Sequence, residues 1–143
     1  MLERRLVDTS VLSLVLKRDT RAAAYVPHLA GRVGVLSFIT LAELYRWPEE
    51  RDWGPRRRTE LARLLEPYEV AYPDEALCRR WARLVAAVRR AGRPLPFADS
   101  WIAATALHLS LPLVTHNPGD FQGIEGLLVI SEAPVSLEHR RGE

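Results

Sequence analysis

The chain has 143 residues, 20 Lys and Arg against 18 Asp and Glu, and a hydrophobic share of 48%. That length suits one domain that buries most of its unfolded surface, and that composition excludes a disordered or low-complexity chain. The single cysteine, Cys78, excludes an internal disulfide and a cysteine-built metal site, while the absence of an apolar run of roughly 18–20 residues makes soluble and cytoplasmic the expected setting, with no membrane partner.

In chain order, Arg4 to Val7 reads as a short strand, and Asp8-Thr9-Ser10 opens a helix carrying Val11, Leu12, Val15 and Leu16. Asp8 closes the strand, a place where chemistry collects; it is equally good helix-cap chemistry. A second helix is expected from Thr20 to about Ala30, stopped by Gly31. Residues 33–45, VGVLSFITLAELY, hold a single charge, Glu43. They start as a strand to Phe38 and continue as a helix from about Ile39. A glutamate in so apolar a run is costly to bury unless it is paired, protonated or bound to a metal; pairing with Arg46 or pointing to solvent stays open.

Residues 47–58, WPEERDWGPRRR, change character and read as a loop or mobile clip before a helix over 59–66. Arg46, Trp47, Trp53, Arg56 and Arg57 could grip RNA by phosphate pairing and base stacking, or a protein partner, since Trp and Arg dominate interface hot spots. Residues 69–72 form a third strand. Asp74 caps an amphipathic helix to about Ala91 with the apolar stripe Leu77, Trp81, Leu84, Val85 and Val88; Cys78 is read as packing in its core. Arg79, Arg83 and Arg90 lie on another face, which is a solvated face or a phosphate track. A helix over 98–109 carries Asp99 in its first turn, 111–115 is a buried strand, and Asn117-Pro118-Gly119-Asp120 is a turn at its end. His116, beside that turn, is near enough to touch substrate or is simply exposed. Residues 126–131 are the last strand, giving a domain over 1–132 and a polar tail over 133–143.

Strands alternating with helices make the fold α/β with a mostly parallel sheet and right-handed crossovers. In such a sheet Asp8, Glu43, Asp99 and Asp120 can converge on one crevice at the carboxyl edge. Four carboxylates together repel and take up protons unless a cation joins them, and oxygen-only ligation suits Mg²⁺ or Mn²⁺. Such a site hydrolyses phosphodiesters. There is no glycine-rich phosphate loop, dinucleotide fingerprint, HExxH motif or serine elbow. Net charge is only +2, although Lys17 is the sole lysine and the remaining basic residues are arginines, which fork onto phosphates.

The motifs LVDTSVL at 6–12, ITLAELY at 39–45, GRPLPFADSWIAATAL at 92–107 and LVTHNPGDFQGIEGLLV at 113–129 resemble those of the PIN-domain ribonucleases, and specifically the VapC-type toxins of toxin–antitoxin pairs. The resemblance spans essentially the whole chain. It implies a three-layer α/β/α fold on a central, mostly parallel five-stranded sheet, Mg²⁺- or Mn²⁺-dependent endoribonuclease activity, a cognate antitoxin and a homodimer. It places Asp8, Glu43, Asp99 and Asp120 on the acidic quartet, Thr9 on the hydroxyl that orders the first loop, Thr115 and Asn117 on the support of the fourth carboxylate, and 47–58 where such toxins receive the antitoxin. A nuclease-inactive PIN scaffold that binds RNA or protein through 47–58, and a housekeeping RNA-processing nuclease, are the competing readings.

Overall fold

The structure is a computed structural model that describes residues 1–134. Of the polar tail expected over 133–143, everything from residue 135 onward lies outside the described residues. Five strands, β1 (Arg4–Val7), β2 (Val33–Ser37), β3 (Glu69–Ala71), β4 (Leu113–Val114) and β5 (Val129–Ile130), form one sheet in the order β3-β2-β1-β4-β5, with every neighbouring pair parallel. The helices are α1 (Thr9–Leu16), α2 (Val26–Leu29), α3 (Phe38–Glu50), α4 (Pro55–Leu65), α5 (Glu75–Arg90) and α6 (Phe97–Leu109), with 3-10 turns at Thr20–Tyr25 and Pro118–Phe121. This is the expected three-layer α/β/α arrangement.

The period-two alternation of the strands builds two cores. Leu6, Val35 and Leu113 pack with Ile102, Ala103, Ala106 and Phe121 on one face of the sheet. Val7, Leu36 and Val114 pack with Val11, Leu12 and Leu44 on the other. The strand β1 is central: Leu6 aligns with Val35 on one side and with Leu113 on the other. The chain runs outward from β1 to β2 and β3, then returns to lay β4 against the opposite edge of β1. The order of winding therefore reverses between β1 and β4, and a crevice opens beyond their carboxyl ends.

Three local expectations are corrected. The span 20–30 is not one helix: a 3-10 turn leads into the short α2, because Pro27 inside it has no N–H to continue a helical ladder. The span 47–58 is largely helical rather than a loop or clip. The helix α3 runs through Pro48 to Glu50, only 51–54 are irregular, and α4 starts at Pro55. Pro48 lies inside α3 with its ring buried, and its carbonyl accepts from Trp53 N at 3.0 Å and from Arg58 Nη2 at 3.2 Å, which ties the end of α3 to the start of α4. Cys78 is exposed, one residue round the helix from buried Leu77. By contrast, Asp74 caps α5 as read, accepting from Leu77 N at 2.8 Å.

Gly34 is the tight point of β2. A Cβ there would run into the ring of Tyr68, whose burial also pushes its hydroxyl pKa upward. Gly34→Ala is expected to cost about 1–3 kcal/mol through overpacking, seen as a lower urea midpoint at unchanged m value; an unchanged midpoint contradicts this packing.

Candidate active site

Asp8 leaves the carboxyl end of β1 only 4% exposed. It occupies the N-cap position of α1 yet makes no side-chain cap, so its carboxylate is turned elsewhere. Its Oδ2 accepts from Ser10 Oγ at 2.6 Å and from Thr115 Oγ1 at 2.7 Å. Both hydroxyls are themselves held by backbone donors after β4: His116 N donates to Ser10 Oγ at 2.9 Å and Asn117 N donates to Thr115 Oγ1 at 3.0 Å. With their lone pairs engaged from behind, the two hydroxyls aim their protons at Asp8. Burial pushes the Asp8 carboxyl up, and these hydrogen bonds pull it back toward ionisation.

Glu43 projects from α3, and its Oε1 accepts from Thr9 Oγ1 at 3.0 Å. Thr9 Oγ1 also lies 3.0 Å from Thr40 Oγ1, so three polar groups are linked between α1 and α3. Burial pushes the Glu43 carboxyl up, the Thr9 bond opposes it, the Asp8 charge adds to it and Arg46 offsets part. Arg46 itself is exposed and pairs with Glu50 at 3.2 Å.

Asp99 sits in the first turn of α6. That turn is anchored by its neighbour Ser100, whose Oγ donates to Phe97 O at 2.6 Å and accepts from Trp81 Nε1 at 2.8 Å. The Trp81 and Trp101 rings stack 4.6 Å apart, joining α5 to α6. Burial first, then the charges of Asp8, Asp120 and Glu43, push the Asp99 carboxyl up to about 7. Asp99 is thus within electrostatic reach of the other three carboxylates, and Glu43 within reach of Asp8.

Asp120 lies on the exposed 3-10 turn Pro118–Phe121 at the mouth of this crevice. Thr115 does not support it: the Thr115 hydroxyl serves Asp8 across the β1–β4 seam. Asn117 contributes its backbone N–H, and no side-chain hydrogen bond of Asn117 to Asp120 is present among the described residues. Trp53 is not a surface contact. It is 6% exposed in the core cluster with Leu12 and Leu61, and Arg57 stacks on its ring at 3.8 Å. Trp47 is half-buried against the same cluster, while Arg56 and Arg57 are exposed. His116 turns its Nδ1 to Tyr25 Oη at 2.5 Å instead of to the crevice.

The sequence reading missed Ser10 and Thr40. Thr40 is a hydroxyl set in the apolar run that holds Glu43, whereas Ser10 follows Asp8 and Thr9 in a stretch that reads as a helix start. No ion pair reaches Asp8, Glu43, Asp99 or Asp120 among the described residues. Nor do three His, Cys, Asp or Glu side chains lie close enough together to hold a metal ion among the described residues. The four carboxylates are linked instead through Asp99, whose carboxyl is raised by the charges of Asp8, Asp120 and Glu43. An oxygen-only donor set with uncompensated negative charge fits a hard divalent cation.

A PIN domain family model matches residues 5–127. The chain is 33% identical to Ribonuclease VapC4 of Mycobacterium tuberculosis over 132 residues, 90% of this chain and 96% of that protein. It is 36% identical to Ribonuclease VapC1 of Haemophilus influenzae (strain R2866) over 93 residues, 65% of this chain and 69% of that protein. Among solved structures, VapBC-1 from nontypeable Haemophilus influenzae matches with a TM-score of 0.76 at 31% identity, over 90% of this chain and 97% of that one. VapBC2 from Rickettsia felis, bound to a promoter DNA fragment, shares the fold with a TM-score of 0.81 at 20% identity, over 90% and 98%.

The Asp99 carboxyl binds its proton more tightly in the folded chain, near 7 against an ordinary 3.8. Its contribution to stability is full below the lower value and is lost as pH rises through the upper one. Protein stripped of divalent ions is expected to melt at falling temperature as pH rises from about 4 through about 7, and Asp99→Asn to flatten that slope and raise the melting temperature at the alkaline end. Calorimetry reads both; equal slopes contradict this placement of Asp99.

Proposed function

The chain belongs to the PIN-domain family, and from that premise we propose that it is an endoribonuclease of the VapC toxin class, hydrolysing RNA phosphodiester bonds and restrained by a cognate antitoxin. The observation that carries this reading is the convergence of burial and three acidic neighbours on Asp99, with no arginine or lysine paired to any of the four carboxylates among the described residues.

In this reading residues 1–132 act as one cytoplasmic PIN domain in which Asp8, Glu43 and Asp99 hold the cation and Asp120 completes the mouth of the site. A bound Mg²⁺ or Mn²⁺ would supply charge against the scissile phosphate and acidify the attacking water. The remaining work belongs to the chain. Ser10 and Thr115 favour the ionised form of Asp8 against its burial and fix its orientation; Thr9 does the same for Glu43; the Trp81–Ser100 bond sets the angle at which α6 presents Asp99. Such outer partners hold ligands to a productive geometry. Asp120, more exposed than the other three, is reached by solvent and substrate first.

Arg46, Trp47, Arg56 and Arg57 on α3 and α4 are the proposed contact region for antitoxin or substrate, with Trp53 acting from beneath as packing. The inactive-scaffold reading depends on 47–58 as an open grip, and the burial of Trp53 removes half of its aromatic surface.

Wild-type protein freed of antitoxin by denaturation and refolding is expected to cleave RNA with Mg²⁺ or Mn²⁺, and to stop with EDTA or with Asp99→Asn. Silence of folded wild type across structured RNAs contradicts the proposal. Thr115→Val, near-isosteric, is expected to weaken Mn²⁺ binding by about 10–100-fold in a calorimetric titration, as loss of an outer partner does; unchanged affinity removes Thr115 from the site.

A further inference from the structure

Alongside the carboxylates, α5, the segment 93–96 and the turn after β4 enclose a groove of about 760 Å³ that has Asp120 on its wall. Three arginines line it: Arg80 and Arg83, one helical turn apart on α5, and Arg93. None of the three makes an ion pair or a side-chain hydrogen bond among the described residues. This sets them apart from Arg18, Arg21 and Arg79, each of which holds a carboxylate within 2.9 Å. Glu125 and Asp120 are the acidic residues on the same walls, and neither comes within ion-pair distance of the three. Arg93 is seated with its guanidinium against the backbone of Gly123, where φ is +78° and a Cβ would collide with it. Leu84 and Val88 give the groove an apolar floor.

A polyanion that enters a cluster of four carboxylates is repelled unless fixed cations flank its path. Arginine is the side chain that forks onto phosphate oxygens. We propose that the Arg80–Arg83–Arg93 groove binds the RNA backbone on one side of the scissile bond and feeds the strand past Asp120 into the acidic crevice. The inference rests on the ribonuclease reading above and gives it a direction of approach. Arg80, Arg83 and Arg93 are positioning residues for RNA: two grip from the helix, and the third from the opposite wall, where Gly123 makes room for it.

The test titrates Asp99→Asn protein with a fluorescein-labelled single-stranded RNA of mixed sequence across a range of salt, with and without Arg80→Gln, Arg83→Gln and Arg93→Gln together. Affinity is expected to fall at least about tenfold and the slope of log affinity against log salt to drop by about 2, roughly 0.7 for each single-strand phosphate that is no longer neutralised. The charge-matched variant Arg18→Gln, Arg21→Gln, Arg79→Gln is expected to retain most of both. Equal affinity and slope in the groove variant, or equal decreases in the two triple variants, overturn the proposal. So does a groove variant that keeps RNA affinity but no longer forms a complex with its antitoxin, since the groove then belongs to a protein. Should the triple variant melt early, Arg83→Gln alone, exposed in mid-helix, carries the test with a slope change of about 0.7. Wild-type cleavage is run beside it: if wild type cuts nothing while the groove variant still binds RNA more weakly, the groove stands and the ribonuclease reading falls.

Discussion

A carboxylate buried at the end of the central strand is the constraint around which the structure is arranged. Asp8 is nearly inaccessible, and a buried charge is tolerated only where hydrogen bonds or an opposite charge stand in for water. Here the first compensation comes from two hydroxyls whose protons are directed by backbone N–H groups behind them. That relay requires β4 to lie directly against β1, so that Thr115, His116 and Asn117 emerge beside Asp8; Asp8 N donates to Val114 O at 2.9 Å along this seam. The reversal of winding between β1 and β4 therefore both opens the crevice and supplies the groups that make an acid inside it bearable.

The other acids are brought to this point by helices whose packing has nothing to do with charge. The helix α6 is buried around Ile102 and around Ala103, Ala104 and Ala106, small residues that let it lie close on the sheet. Its first turn is pinned by the aromatic stack with α5. Asp99 is thereby pressed toward three other negative charges, an arrangement that costs stability in the protein itself and that no surface salt bridge relieves. No arginine or lysine forms an ion pair with any of the four acids among the described residues, and this uncompensated charge is the basis of the proposed cation site.

Much of this was legible from residues alone. The strand β1 and Asp8 after it, the lone glutamate in an apolar run, the Asp74 cap and the proline-bounded helix carrying Asp99 each follow from local patterning, and the shared motifs tie them into one family. What failed did so for tertiary reasons. Residues 47–58 carry Pro, Gly and Arg in loop-like density, but burial of Pro48 and Trp53 against the core holds most of the segment in helix. Cys78 follows a stripe residue by one position, about 100° around the helix, which turns it outward. The motif resemblance sets Thr115 beside Asp120; its hydroxyl instead serves Asp8, 107 residues away, and only strand order reveals that. Of the arginines on α5 the sequence points to Arg83 as part of a candidate phosphate track, but it groups it with Arg79, which pairs with Glu75, and Arg90; the trio of Arg80, Arg83 and Arg93 meets only when α5 and the turn after β4 are folded together.

In the proposed site Asp8, Glu43 and Asp99 together hold one divalent cation. Crystals of the protein soaked in Mn²⁺ and measured for anomalous scattering test it most directly. The expected result is an anomalous peak bounded by these three carboxylates, with oxygen distances near about 2.2 Å for Mn²⁺, a value slightly longer than the octahedral Mg²⁺ range. Bound Mn²⁺ found elsewhere, or a crevice that stays free of anomalous density in a protein saturated with the ion, would contradict it.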